Sequence, residues 1–378
     1  MPTNLSAQPG TLAPLTPPAS RLPKVGTTIF TVMSALAAER NAVNLGQGFP
    51  DYTPPDFVLN AAQKAVNKRD LHQYARTSGH MELVSLLAQR YSQHIGKPID
   101  PATEVAITIG ASEGLFLSLR TILAAAKKDA ESNKSVPVRD EVIMFDPYFE
   151  LYNAQCKDLG AKPVFVPITP TKNDWSVDWD AFRRAIGPKT AAIILNSPHN
   201  PTGKMFSQAD MEQIAAIVRE HDHVKVIFDE VYKYIIHPEN RSATHINFAS
   251  LPGMYDRTLT VSSAGKTFGV TGWTLGWVVG PPDLMAPIHK TLPNLHFCAP
   301  MPLQQAMVDV LQQAEKPFAP LTDEYVESAL KSAADSECAV TSSGENYYSH
   351  LQSFYRRKKE KLASALKAAN LEMLPADS

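Results

Sequence analysis

The chain has 378 residues, 44% of them hydrophobic and 20% charged, with a formal net charge of −2. That length suffices for one large domain and a smaller one, and the near-neutral balance offers no electrostatic footprint for nucleic acid or an anionic membrane. No apolar run approaches the roughly 20 residues of a membrane-spanning helix. The three cysteines, Cys156, Cys298 and Cys338, form no C-x-x-C pair, which argues against a disulfide framework or a zinc site and for a reducing, cytoplasmic setting.

In chain order, residues 1–27 are rich in Pro, Ser and Thr, contain no acid, and carry only Arg21 and Lys24 as basic residues. A mitochondrial transit peptide is Arg-rich and amphipathic, and the prolines oppose a helix, so a flexible arm is expected, with a mitochondrial address as the alternative. Residues 28–39 read as a short helix, followed by the rigid loop Gly46-Gln47-Gly48-Phe49-Pro50-Asp51. Residues 54–66 and 81–94 read as helices. Thereafter apolar, β-branched runs at 105–109, 141–145, 163–166, 191–195, 224–228, 259–262 and 275–279 alternate with helical patterns at 114–126, 151–159, 178–185 and 208–220. Such alternation predicts an α/β fold with a mostly parallel seven-stranded sheet flanked by helices. A helix begins at 301–311, a Ser-rich surface loop covers 335–344, and 347–369 forms a charged helix carrying Arg356-Arg357-Lys358-Lys359-Glu360-Lys361, read as a solvated face. The chain then stops at Ser378 without another element. The expected domains are residues 1–27 as the arm, 28–53 as the start of a small α+β domain, 54–297 as the large domain, and 298–378 as a connecting helix with the rest of the small domain, incomplete at its C-terminus.

The chemistry-bearing segments all follow strand candidates, at the edge where open α/β sheets bind ligands. Lys266 lies in Ser263-Ala264-Gly265-Lys266-Thr267, after Thr258-Leu259-Thr260-Val261. A lysine among small residues at a strand end can be desolvated, which favours the free amine and Schiff-base chemistry with an aldehyde. Asp229-Glu230-Val231-Tyr232 follows the run 224–228, and Asn196-Ser197-Pro198-His199-Asn200-Pro201-Thr202-Gly203 follows 191–195. These groups appear in the order a pyridoxal 5′-phosphate (PLP) site uses them. Asp229 can keep a pyridine ring protonated, and Asn200 and Tyr232 can donate to a phenolic oxygen. Gly110-Ala111-Ser112-Glu113-Gly114 links a strand to a helix, a natural anion cradle, to which Ser112 and Ser263 add hydroxyls. Tyr148 follows Phe145-Asp146-Pro147 and is placed to stack on the ring.

Together these segments resemble the aspartate aminotransferase superfamily of fold-type I PLP enzymes, and within it the kynurenine aminotransferase/cysteine-conjugate β-lyase group. The resemblance runs from about Phe30 to the chain end, through Asn44-to-Asp51, His72-Gln73-Tyr74, Asn196-to-Gly203, Asp229-to-Tyr232 and Ser263-to-Trp277. It implies ping-pong transamination between an L-amino acid and a 2-oxo acid. Lys266 is then the Schiff-base lysine and proton carrier, with Asp229 at the ring nitrogen and Asn200 and Tyr232 at the phenolic oxygen. Ala111, Ser112 and Ser263 bind phosphate, and Tyr148 stacks. The resemblance further implies that Tyr74 reaches the phosphate of a neighbouring subunit in a homodimer, that Gly48 lies beside the substrate carboxylate, and that Phe30 and Phe297 sit near its side chain, favouring kynurenine-, glutamine- or aromatic-type substrates. β-Elimination from cysteine conjugates shares the same carbanion.

Two departures stand out. The family usually carries Lys or Arg eight residues after the Schiff-base lysine; here that position is Thr274, which supplies no charge against a phosphate. The family's small domain also continues past this point and carries an arginine for the substrate carboxylate, so a truncated form is expected, with a catalytically impaired dimer partner as the alternative function. A remoter alternative is a serine hydrolase: Gly110-x-Ser112-x-Gly114 fits a nucleophile elbow, with Asp229 and His237 or His245 completing the order. Gly46-x-Gly48 lacks the helix and third glycine of a dinucleotide fingerprint, and His221 and His223 lack further metal ligands.

Overall fold

The structure, a computed structural model, describes residues 29–44, 46–48, 50, 52–237, 244–317 and 346–378. The expected N-terminal arm and the loop at 335–344 lie outside the described residues, as does Cys338. The chain divides into two compact units, Met1–Gln47 and Gly48–Ser378. The first holds helix α1 (Ile29–Glu39), none of whose residues is fully buried. It closes on a local turn in which the Asn44 side chain accepts from the Gly46 N–H at 2.9 Å.

The second unit opens with α2 (Asp56–Val66) and α3 (Met81–Ile95). Strands and helices then alternate: β1 (Val105–Ile109), α4 (Gly110–Ser132), β2 (Glu141–Asp146), α5 (Glu150–Asp158), β3 (Lys162–Pro170), β4 (Trp175–Val177), α6 (Trp179–Ala185), β5 (Thr190–Asn196), α7 (Gln208–Arg219), β6 (Lys225–Asp229), β7 (Thr258–Ser263), α8 (Gly265–Phe268), β8 (Leu275–Val279), α9 (Pro282–Thr291), α10 (Met301–Ala314) and α11 (Tyr347–Ala368). The sheet runs β1-β8-β7-β6-β5-β2-β3-β4. Strands β3, β2, β5, β6 and β7 are mutually parallel; β8 lies antiparallel between β7 and β1. All seven residues of β5 are buried, as befits a central parallel strand covered on both faces. One face packs α6 and α7 through Phe182, Met211, Ile214 and Val218. The other packs α4, α5 and α9 through Leu115, Leu119, Tyr152 and Ile288. Ser207 and Asp210 start α7 with a reciprocal capping box.

The sheet has eight strands rather than the expected seven. The extra one, β4, folds back antiparallel on β3; its three residues are too few to register as a period-2 pattern. Helix α4 begins at Gly110 and continues to Ser132, beyond the expected 114–126, because small residues hide a helix start that the tertiary structure holds. Helix α9 was not expected: Pro282 occupies its first turn, where no N–H is needed, and Pro287 obscures its pattern. The charged helix α11 is not wholly solvated. Its first turn buries Tyr347, Tyr348 and Leu351; the Tyr347 ring stacks on Phe268 at 5.5 Å, and its hydroxyl donates to the Thr267 carbonyl at 2.8 Å.

Candidate active site

Parallel register brings three strand ends together. Asn196 of β5 pairs with Asp229 of β6, and Asp229 with Val261 of β7, so the segments that follow leave the sheet along one edge. Asn196 ties two of them: its Nδ2 donates to the Asp229 carbonyl at 3.0 Å, and its Oδ1 accepts from the Asn200 N–H at 2.7 Å. Asn200 Nδ2 then donates to the Tyr232 hydroxyl at 3.3 Å. Burial, with Asp229 nearby, pushes the Tyr232 phenol up to about 12, so it stays a donor at neutral pH. Lys266 stands in the single turn of α8. Its Nζ lies 5.7 Å from the Tyr232 ring centroid and donates to the Gly48 carbonyl at 2.7 Å. Among the described residues no carboxylate pairs with it, and burial lowers its pKa from the ordinary lysine value. An amine so placed gives up its proton more readily than a surface lysine.

Asp229 is 3% exposed. Its Oδ2 accepts from the Tyr152 hydroxyl at 2.7 Å and its Oδ1 from the Val231 N–H at 3.1 Å. Burial pushes its carboxyl up to about 6, and these two hydrogen bonds hold it from rising further. Glu230, next in the chain and equally buried, belongs to a separate cluster. Its Oε1 meets Lys233 Nζ at 2.6 Å and the Tyr91 hydroxyl at 2.6 Å, and its Oε2 meets His245 Nε2 and Asn247 Nδ2, both at 2.9 Å. Burial opposes its charge, but Lys233 and His245 hold its carboxyl well below the usual range. Glu230 and Lys233 thereby pin both ends of the turn that presents Tyr232.

The cradle is a backbone construction. Gly110 follows β1 with φ +69° and opens α4, whose first N–H groups are free of helical partners. Gly276 of β8 lies opposite Thr108 and Ser263, with the Gly110-Ala111 backbone running across it. A Cβ at 276 would come within 2.4 Å of the Gly110 carbonyl carbon and 2.7 Å of the Ala111 nitrogen. Only glycine lets the cradle and the Ser263 strand end approach this closely. Ser112 sits exposed on the first turn of α4, and its carbonyl accepts from Gln155 Nε2 at 2.8 Å. Thr274, where the resemblance leads one to expect a cation, adopts φ +49°, an unusual conformation for a β-branched residue.

The other expected residues make contacts of their own. The Tyr148 ring stacks on Phe165 of β3, with centroids 5.0 Å apart, and its hydroxyl accepts from Asn153 at 3.1 Å. Its neighbour Phe149 instead packs edge-on against Tyr152 at 5.6 Å, the tyrosine that touches Asp229. Tyr74 is 78% exposed and Phe297 49% exposed, and they pack edge to face at 4.6 Å. Phe30 lies on α1 of the first unit. The hydrolase relay is not assembled: Asp229 binds Tyr152 and Val231, while His245 pairs with Glu230 and stacks on Phe228 at 5.8 Å. Asn196, Tyr152 and Gly276, whose contacts build this edge of the sheet, were missed from sequence. Only Asn196, a polar residue ending a wholly apolar strand, carried a local signal.

These residues fit a flat, phosphorylated pyridine aldehyde. They offer an amine with no acidic partner among the described residues, a buried acid, a phenol–amide pair, and an anion cradle whose backbone a side chain at 276 would displace. The aminotransferase class I and II family profile matches residues 40–378. The kynurenine–oxoglutarate transaminase of Dictyostelium discoideum is 32% identical over 369 residues, covering 94% of this chain and 75% of that protein. Kynurenine–oxoglutarate transaminase 1 of Rattus norvegicus is 36% identical over 310 residues, covering 79% of this chain and 69% of that protein. The solved structure of N-succinyldiaminopimelate aminotransferase from Mycobacterium tuberculosis superposes with a TM-score of 0.73 at 33% identity, covering 91% of this chain and 77% of that one. The strand-end chemistry, the fold and these likenesses agree: the chain belongs to the class I and II aminotransferases, a family of PLP-dependent transaminases.

Proposed function

We propose that this chain takes an amino group from a large apolar or aromatic L-amino acid, kynurenine or a glutamine-like side chain among the candidates, and passes it to a 2-oxo acid in ping-pong turns around Lys266. Two relatives named kynurenine–oxoglutarate transaminases, at 32% and 36% identity, support this substrate class. PLP, when bound, supplies an electron-withdrawing ring that acidifies the hydrogen on the substrate's Cα. Lys266 anchors the cofactor through its amine. Once the substrate amine takes that place, the freed Lys266 amine would carry the proton from Cα to the cofactor's C4′ carbon. Asp229 holds a proton at the ring nitrogen. Asn200 and Tyr232 donate to the phenolic oxygen, and the backbone at Ala111 with the hydroxyls of Ser112 and Ser263 receives the phosphate. The aromatic wall over the ring is Tyr148, with its neighbour Phe149, which packs on Tyr152, as the second candidate. The Gly48 backbone lies beside the substrate carboxylate, and Phe297 lies on the side-chain approach. Tyr74, exposed as it is, serves the phosphate site of a second copy in a cytoplasmic homodimer with shared sites. C–S β-elimination starts from the same deprotonation and is a second activity to assay.

The observation that carries this reading is the half-buried Lys266 amine, without an acidic partner among the described residues and set over the Tyr232 ring that Asn200 holds. Adding PLP to the purified protein produces an absorbance band near the visible that an amino acid bleaches and borohydride removes. Lys266→Ala lacks the band. A band that persists in Lys266→Ala refutes the assignment.

A further inference from the structure

We propose that Tyr152 is a positioning residue of the active site: its hydroxyl clamps the Asp229 carboxylate in its ionised form and in a single orientation. The proposal deepens the reading above and rests on the role given there to Asp229. Both side chains are buried, Tyr152 at 2% and Asp229 at 3% exposure, and their oxygens are 2.7 Å apart. Burial beside Asp229 raises the Tyr152 phenol well above its ordinary value. The phenol therefore keeps its proton and is the donor, and a donor this short is a charge-assisted bond to a carboxylate. Among the described residues no Arg, Lys or His pairs with Asp229. The groups facing it are the Val231 N–H, the Tyr152 and Tyr232 phenols, and the neighbouring Glu230 carboxylate. Glu230 and burial oppose its charge, so two hydrogen bonds alone sustain it, and only one of them comes from a side chain.

Helix α5 is built to deliver that bond. The Tyr152 N–H donates to the Phe149 carbonyl at 3.1 Å, and the Phe149 ring packs edge-on against Tyr152, which fixes the phenol's direction. One turn later, on the same face, Gln155 donates to the Ser112 carbonyl in the first turn of α4. A single helix thus holds both the acid and the end of the anion cradle.

Tyr152→Phe removes the donor with almost no change in volume. In the cofactor-free protein, the infrared band of the protonated Asp229 carboxyl, identified by its loss in Asp229→Asn, reads the contact directly. In Tyr152→Phe its titration midpoint rises by a pH unit or more, and the acid limb of PLP binding moves up with it. Site-specific 3-fluorotyrosine at 152, a more acidic phenol and stronger donor, moves the midpoint the other way and serves as the measurement if Tyr152→Phe does not fold. Gln155→Leu frees α5 from the α4 turn but keeps the phenol, and shifts the midpoint far less than Tyr152→Phe. A packing role alone moves none of these midpoints, and an unchanged Asp229 titration in Tyr152→Phe or the fluorotyrosine protein overturns the proposal. The cofactor-free titration is independent of PLP. Failure of the Asp229 assignment itself shows separately, as unchanged PLP affinity in Asp229→Asn.

Discussion

Asp229 and Glu230 are consecutive and both wholly buried, yet their carboxyls are driven in opposite directions. Asp229 sits among neutral donors and is pushed up to about 6 by burial, while Glu230 is held low by Lys233 and His245 against the same burial. Where the chain leaves β6 their side chains part, one into the site edge and the other into a structural cluster with Tyr91 and Asn247. Paired acids with divergent environments signal divided labour. In the proposed function one serves the cofactor, while the other braces the loop that carries Tyr232.

Removing one partner of a buried ion pair strands the other. Glu230→Gln leaves the buried Lys233, 2.6 Å away, without its counter-charge. The expected loss is about 3–5 kcal/mol of unfolding free energy, measured by denaturant titration. The double change Glu230→Gln, Lys233→Met recovers part of that loss, because no uncompensated charge remains.

His199 lies in the turn that carries Asn200, with its Nδ1 2.9 Å from Thr202 Oγ1. Burial depresses its pKa to about 4. The unfolded chain, titrating near 6.5, takes up the proton first, so this group's contribution to stability is present above about 6.5 and is lost as pH falls toward 4. The magnitude is roughly 3 kcal/mol. Asp229, raised rather than lowered, contributes with the opposite sign over about 4 to 6. The comparison of wild type with His199→Gln isolates the histidine: the variant shows a shallower acid loss in chemical denaturation at pH 7, 6, 5 and 4.

Thr274 combines a left-handed backbone with a β-branched side chain at the edge of the cradle. Thr274→Asn relieves that strain and raises stability by about 1 kcal/mol. Thr274→Lys places a cation beside the proposed phosphate site and tightens PLP binding several-fold, read by cofactor titration. An affinity that does not tighten means that the backbone cradle already saturates the phosphate.

Gly276→Ala places a methyl group into the Gly110-Ala111 backbone, where the nearest atom is 2.4 Å away. Overpacking of this kind costs about 1–3 kcal/mol. Because the displaced segment is the cradle itself, PLP affinity should fall at least tenfold, roughly 1.4 kcal/mol in binding. Equilibrium dialysis of PLP and thermal unfolding measure the two effects separately.

Much of the fold and the core of the site can be read from residue order alone. Strands β1 and β8 run as expected at 105–109 and 275–279, and Lys266, Asp229, Asn200 and Tyr232 each follow an apolar strand. Such strands bury both faces, so their apolar runs are continuous, and the polar residue after each must lie at the sheet edge. What the linear chain withholds depends on direction and distance. Tyr148 and Phe149 are adjacent aromatics with equal claim to the cofactor, and nothing local shows that one turns to Phe165 and the other to Tyr152. Tyr152 reads as an ordinary core residue of an amphipathic helix until its hydroxyl is found on Asp229, 77 positions away. Gly276 looks like a tolerated strand glycine until the backbone of β1 and α4 crosses it. Periodicity and strand-end chemistry are local properties and so belong to the sequence. The partners of a buried hydroxyl, a carboxylate or a missing Cβ are set by register and packing between distant segments, which only the folded chain decides.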